Sequence, residues 1–422
     1  MRKISFGVLL FFLCTCSFAQ PIVRVRLFDG KGKLSSITLC SSNPIAAALP
    51  EGSAKAESWN VQATASGMIL EGNEEKFVLT DPLEFWVECS DSEVGLITVK
   101  AGAITRTYRG RITVSLLPQD KGLLVVNSLP QEEYLYGVVP NEVPASWPKT
   151  ALEAQAILAR TYSFGHLNPK KEYDLVDSTN SQVYLGYDSE KPSTNRAVDD
   201  TANLVVGYGG KPVPYVYYFS TCGGQTEDSG QIWGTSVPYL VPASCGGGQA
   251  QDLSSSEAVA NFLAAPSSSY CSRSPASRWE VRLTSSDLAP LLAANFPEGA
   301  ELLDLAVTRR SPGGGALEVA VITDKGELKI SGELNIRRSL KEAGQALRSS
   351  FFAVDKLQKE DGSLEFLLRG GGWGHRVGVC QWAMEGMARQ GASCHEILSH
   401  FLPGTELIAI GQESLSDSEL PQ

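Results

Sequence analysis

The chain has 422 residues, 43% hydrophobic and 20% charged, the balance of an ordinary globular protein with room for two or three structural units. Its net charge of −11 argues against a phosphate-backbone partner, and no Lys/Arg cluster offsets it. Nucleic acid is not expected as a ligand.

Arg2 and Lys3 precede a largely apolar run from Ile4 to Leu13, and Ser17-Phe18-Ala19 fits a small-x-small cleavage site. Residues 1–19 therefore read as a signal peptide, and the protein is expected in the periplasm or cell envelope. Leu13-Cys14-Thr15-Cys16 also places a cysteine three residues after a leucine, so a lipid anchor at Cys16 stands beside simple secretion and an uncleaved anchor. No later run reaches about 18 apolar residues, so no transmembrane span is expected. Removing the signal leaves Cys40, Cys89, Cys222, Cys245, Cys271, Cys380 and Cys394, an odd set in a compartment that permits disulfides. None of them shows CxxC or Cys/His zinc spacing, and no metal site or cofactor is expected.

Val23, Val25 and Leu27 alternate with Arg24 and Arg26, the pattern of a half-buried strand. Further strand-like runs fill roughly 68–114, so residues 20–105 are expected as a β-rich N-terminal unit. Leu123–Leu129 reads as a strand. A loop carrying Glu142 between Pro140 and Pro144 follows, and then a small-residue helix starting between Pro148 and Thr150. Thr150 with Glu153 gives a capping-box pattern there. Val213–Thr221 is a near-continuous β-prone run. Residues 246–278, rich in Gly, Ser, Ala and Pro, suggest a boundary or excursion. A hairpin at Asp324-Lys325-Gly326, a helix near 333–347, a strand at Leu364–Leu368 and a helix from 380 to 390 complete the pattern. The expected class is α+β, a mixed or antiparallel sheet with few helices plus the β-rich unit and an inserted segment.

Glu142 lies beside Trp147 and Val-Pro residues, surroundings that raise a carboxyl pKa and suit a general acid. The competing reading is a loop carboxylate that caps the next helix or pairs with an arginine. Arg160 either neutralises a carboxylate, binds substrate or faces solvent. Gly370-Gly-Gly-Trp-Gly-His375 lacks the Lys-Ser/Thr of a phosphate loop, and is read as a turn projecting Trp373 and His375 into a cleft. A Cys222–His375 nucleophile pair has no local support. Cys394-His395 with His400 is equally weak as a metal site.

Four blocks carry a resemblance: EEYLYGVVPNEVPASWPKTALEAQAILARTY (132–162), DSTNSQVYLG (177–186), STCGGQTEDSGQIWG (220–234) and RGGGWGHRVGVCQWAMEGMARQG (369–391). In this order they resemble the stage II sporulation protein D family, which includes amidase-enhancer proteins, over about 106–402. A possible insertion spans 246–346, and 403–422 is left as a tail. The resemblance implies a peptidoglycan lytic transglycosylase that cleaves the MurNAc–GlcNAc β-1,4 bond of glycan strands, preferably stripped of stem peptides. An N-acetylmuramoyl-L-alanine amidase would then act beforehand. It places the catalytic glutamate on Glu142, and Arg160, Gln182, Tyr184, Ser220, Thr221, His375 and Gln381 along the glycan groove. Trp233 and Trp373 are candidates for sugar stacking. Some family members bind zinc through a His and two Cys around the second block; here Val176 and Ser181 stand at the cysteine positions, so that site is expected to be lost. Arg376 and Cys380 depart from the usual glycine and serine of the fourth block. The alternative function is a non-catalytic amidase enhancer or wall-binding protein.

Overall fold

The computed structural model describes residues 20–89, 94–120, 122–360 and 362–411. The expected signal peptide, the Cys16 anchor and the end of the 403–422 tail lie outside these residues. Within them, no helix is long and apolar enough to cross a membrane. The fold is α+β, with short helices set against several mixed or antiparallel sheets.

The strand Ile22–Arg26 alternates as its sequence predicts, with Val23 and Val25 fully buried. It pairs antiparallel with Leu123–Pro130 on one side and parallel with Leu175–Val176 on the other. From Leu123–Pro130 the sheet continues through Arg111–Leu116 and Leu83–Val87 to Ser36–Leu49 and its outer neighbours. The boundary expected after residue 105 falls inside the strand Ile104–Arg109, and residues on both sides of it share one core. The Leu123–Pro130 strand explains this: its first five residues are buried, so it needs cover on both faces. Asp177 of the second block closes the join, accepting the Phe28 and Asp29 N–H groups at 2.9 Å each and pairing with Arg106 at 3.0 Å.

Past Pro130 the chain turns through the helix Gln131–Tyr136 into a single turn, Val139–Glu142, which has a proline in its first two positions. Glu142 thus ends a helical turn rather than lying on a loop. Gly137 sits between them because a Cβ there would meet the Tyr184 ring at 2.6 Å. The helix Lys149–Gly165 begins where predicted, but Pro148 is its N-cap and no side chain caps it, so the Thr150–Glu153 box does not form. Ala151, Ala154, Ala156 and Ala159 are fully buried, which lets the helix pack closely on Pro192–Asp200, Gln381–Arg389 and Cys394–Phe401.

The expected strand Val213–Thr221 reduces to a short ladder, Tyr218–Phe219 parallel to Val379–Cys380. Pro214, with no N–H to give, sits within that run. The hairpin at Asp324-Lys325 forms between Ala316–Thr323 and Gly326–Ser331. The helix expected over 333–347 stops at Ser339, and a small hairpin follows with Ala343 and Gly344 at positive φ. A second core unites Trp279, Leu283, Val319 and Ile336 with Phe352, Phe366 and Leu368, so the expected insertion draws on strands beyond residue 346. Residues Glu406–Ala409, expected as tail, form a strand against Leu204–Tyr208.

Arg160 joins three of these helical segments. Its Nε and Nη2 donate to Glu132 Oε1 and Oε2 at 2.8 and 2.7 Å, and its remaining donors reach Leu204 O and Val198 O at 3.1 Å each. Removing one partner leaves the other buried and uncompensated. Glu132→Gln is therefore expected to destabilise the protein by about 3–5 kcal/mol, read as a lowered urea midpoint of unfolding.

Candidate active site

Several segments meet around a groove of about 630 Å³: the Glu142 turn, Thr179–Ser181, Tyr217–Ser220, Trp373–His375 with Gln381, and the helix Glu333–Ser339. Glu142 is half-buried on its wall. Its Oε1 accepts the Val183 N–H at 2.9 Å, and the Gln381 amide donates to its main-chain oxygen at 3.4 Å. Among the described residues no lysine or arginine pairs with it. Burial pushes the carboxyl above its ordinary value, while Val183 N–H and the Gln381 amide favour the anion. The surrounding tyrosines shift in the same sense: burial raises Tyr134 and Tyr218, the Glu142 charge coming next at Tyr218 and after Tyr184 at Tyr134, and burial pushes Tyr162 up to about 12.

His375 sits in an aromatic box of Phe219, Trp233 and Tyr217, with ring centroids at 5.3, 5.0 and 6.1 Å. The Val377 N–H donates to its Nδ1 at 3.1 Å, so the proton of the neutral ring is on Nε2. Burial first, then the Arg337 charge, lowers its pKa to about 4, and the ring is neutral at pH 7. Trp373 and Trp233 are 51% and 43% exposed on the groove, unusual for side chains of this size and suited to stacking on a flat ligand.

Of the residues expected in the groove, the structure brings Ser220, His375 and Gln381 together with Glu142. The others lie behind it. Arg160 is fully buried and committed to Glu132. Gln182, also buried, donates to the Tyr218 hydroxyl at 2.8 Å and accepts from the Tyr134 hydroxyl at 3.2 Å. Tyr184 donates to Asn127 Oδ1 at 2.8 Å within the core. Thr221 holds the Trp373 backbone by a reciprocal N–H···O pair at 3.1 and 2.7 Å, its hydroxyl engaged by Ser274. These four position the wall and do not face the groove. Sequence reading missed Tyr162 and Tyr218, although the first lies in the first block. It also missed Glu333, Arg337 and Arg338, which come from the inserted region and carry no motif.

Arg376 occupies its glycine-like position at φ +67. It is held there by Glu227 at 2.9 Å, by Cys222 O, Gln225 O and Gly313 O, and by the Phe351 ring beneath its guanidinium. The loop keeps its tight turn by burying the arginine. At the second block, Val176 lies on the edge strand and its N–H donates to Ser181 Oγ at 3.2 Å. Behind the groove, however, Cys222, Cys245, Cys271 and Cys380 bring their Sγ atoms within 4.8 Å of one another, a cluster that no local spacing announced.

Residues 119–208 match the family model described as Stage II sporulation protein. Stage II sporulation protein D of Bacillus amyloliquefaciens is 28% identical over 300 residues, 67% of this chain and 75% of that protein. These matches support the stage II sporulation protein D family for this chain. An uncharacterized protein of Brachyspira hyodysenteriae is 28% identical over 299 residues, covering 70% of this chain and 71% of the other. An amidase enhancer of Bacillus subtilis is 29% identical over 295 residues, covering 65% of this chain but only 40% of that protein. Residues 227–378 also match a domain of unknown function.

Because the folded state binds fewer protons at His375 than the unfolded chain, its contribution to stability is complete above pH 6.5 and lost as pH falls toward about 4. The loss is at most about 3 kcal/mol. Thermal melts of the parent and His375→Gln should diverge across that window, with the variant showing the shallower acid slope.

Proposed function

We propose that this chain is an exported peptidoglycan lytic transglycosylase, with Glu142 as its single acid and base. The observation that carries the reading is a half-buried carboxyl with no cationic partner among the described residues, on a groove that also presents two exposed tryptophans. A carboxyl held above its ordinary pKa retains a proton to give.

In this mechanism Glu142 donates that proton to the glycosidic oxygen as the bond from MurNAc C1 breaks, and GlcNAc leaves with a 4-hydroxyl. The 6-hydroxyl of the same MurNAc attacks C1, and its proton passes to the Glu142 carboxylate. The acid is regenerated and the product is 1,6-anhydro-MurNAc. The nucleophile is tethered to the reacting sugar, so proximity replaces the water site and second carboxylate that a hydrolase requires. Neutral His375, its Nδ1 accepting from Val377 and its ring hydrogen-bonded to the Tyr218 main chain, would hold the groove wall in place, and Gln381 would steady the Glu142 turn. Trp233 and Trp373 would stack on sugar faces. A preference for denuded strands, and an amidase acting beforehand, follow from the family resemblance.

The second reading, an amidase enhancer without cleavage of its own, is favoured by the Bacillus subtilis relative of that name. Glycan strands incubated with the parent and with Glu142→Gln, followed by mass spectrometry, separate the two. Anhydro ends from the parent, with about 10²–10⁴-fold fewer from the variant, are expected. Absence of cleavage by the parent would favour the enhancer. Reducing ends without anhydro sugars would mean hydrolysis and turn attention to Glu333, the other carboxylate on the groove. Glu333→Gln should then remove the activity, whereas the transglycosylase reading expects most of it to remain.

A further inference from the structure

We infer that Cys222, Cys245, Cys271 and Cys380 form a closed four-thiolate site for one tetrahedral metal ion, zinc by its chemistry, that staples the back of the groove. All four side chains are fully buried, and their sulfurs lie within 4.8 Å of one another. Zinc–thiolate bonds of about 2.3 Å place tetrahedral sulfurs about 3.8 Å apart. The Cys222 and Cys271 sulfurs are separated by 3.5 Å. Four protein sulfurs with no open position describe a structural site rather than a catalytic one.

The surroundings suit thiolates. The Cys222 N–H donates to Cys380 Sγ at 3.2 Å and the Gly224 N–H to Cys222 Sγ at 3.3 Å, while the Ser269 hydroxyl is 3.3 Å from Cys271 Sγ. Such outer contacts orient sulfur ligands. Four thiolates around a divalent ion leave two negative charges, and two arginines stand against the same loop. Arg376 Nε donates to Cys222 O at 2.9 Å, and Arg278 Nη1 to Gly223 O at 2.8 Å. A bound divalent cation would hold all four as thiolates.

The position gives the ion a purpose. Cys222 follows Ser220 on one groove segment, and Cys380 is the N-cap of the helix that opens with Gln381. Cys245 borders the Gly/Ser-rich excursion and Cys271 lies within it, the two joined by the Tyr270 N–H donating to Cys245 O at 2.8 Å. The ion would clamp both groove segments to that excursion, whose own regular structure is sparse. This inference is independent of what the groove cleaves.

The test uses the full mature chain, purified without an affinity tag or chelator. Its metal content, its unreduced intact mass and its thiols titrated with a mercurial would all be measured. About one zinc per chain, released as four thiols are titrated, is expected. Cys271→Ser and Cys245→Ser should lose the metal, and Cys394→Ser should keep it. Should the cluster variants fail to fold, the parent decides alone. A chain without metal overturns the proposal, whether its mass is lower by four hydrogens, meaning two disulfides, or its thiols are all free. Chelator removal of the zinc should lower the melting temperature; an unchanged melt would overturn the clamp.

Discussion

The arrangement of charge around the long helix governs the rest. Arg160 gives its guanidinium fork to Glu132 and its other donors to carbonyls, and so binds the first helix, the long helix and the Pro192–Asp200 helix into one block. Glu142 lies on the same block and receives no cation. Its partners are a backbone N–H and a neutral amide. One carboxylate is compensated and structural, the other uncompensated and exposed to the groove. That partition separates a site able to hold a proton from an ordinary buried ion pair.

The opposite wall is built differently. Its strands are short, and it depends on side chains where backbone ladders end. Glu227 accepts from Arg376, from the Ser311 hydroxyl and from the Gly315 N–H, and the Gly313 and Gly315 positions leave no room for a Cβ beside it. Arg376 in turn reaches the carbonyl of Cys222, next to the sulfur cluster. Ser220, His375 and Gln381 are thus held by a buried ionic and sulfur-lined layer, and the Glu142 side by packed alanines.

Much of this was legible in the sequence, for physical reasons. Alternation at Val23 and Val25, the small-residue helix and the Asp324-Lys325 turn are local signals, and all three formed. Glu142, Ser220, His375 and Gln381 sit in contiguous blocks, so the resemblance carried them to one groove. Arg160, Gln182, Tyr184 and Thr221 sit in the same blocks yet face inward. A block says that a residue belongs to the neighbourhood, not which way its side chain points. The cysteine cluster was invisible because its members come from four separate segments, brought together only by the loops. The 105/106 boundary misled for a similar reason: strand pairing between residues 22–26 and 123–130 is long-range, and composition does not report it.

The measurement that bears most directly on the account is the ionisation of Glu142 itself. Infrared difference spectra of the parent against Glu142→Gln, taken across pH, would isolate the protonated carboxyl band of this one residue. The account predicts that the band persists above pH 4.5, the ordinary value for a glutamate, and disappears in the variant. A carboxyl already ionised at or below that pH would contradict it, leaving Glu142 without a proton to donate.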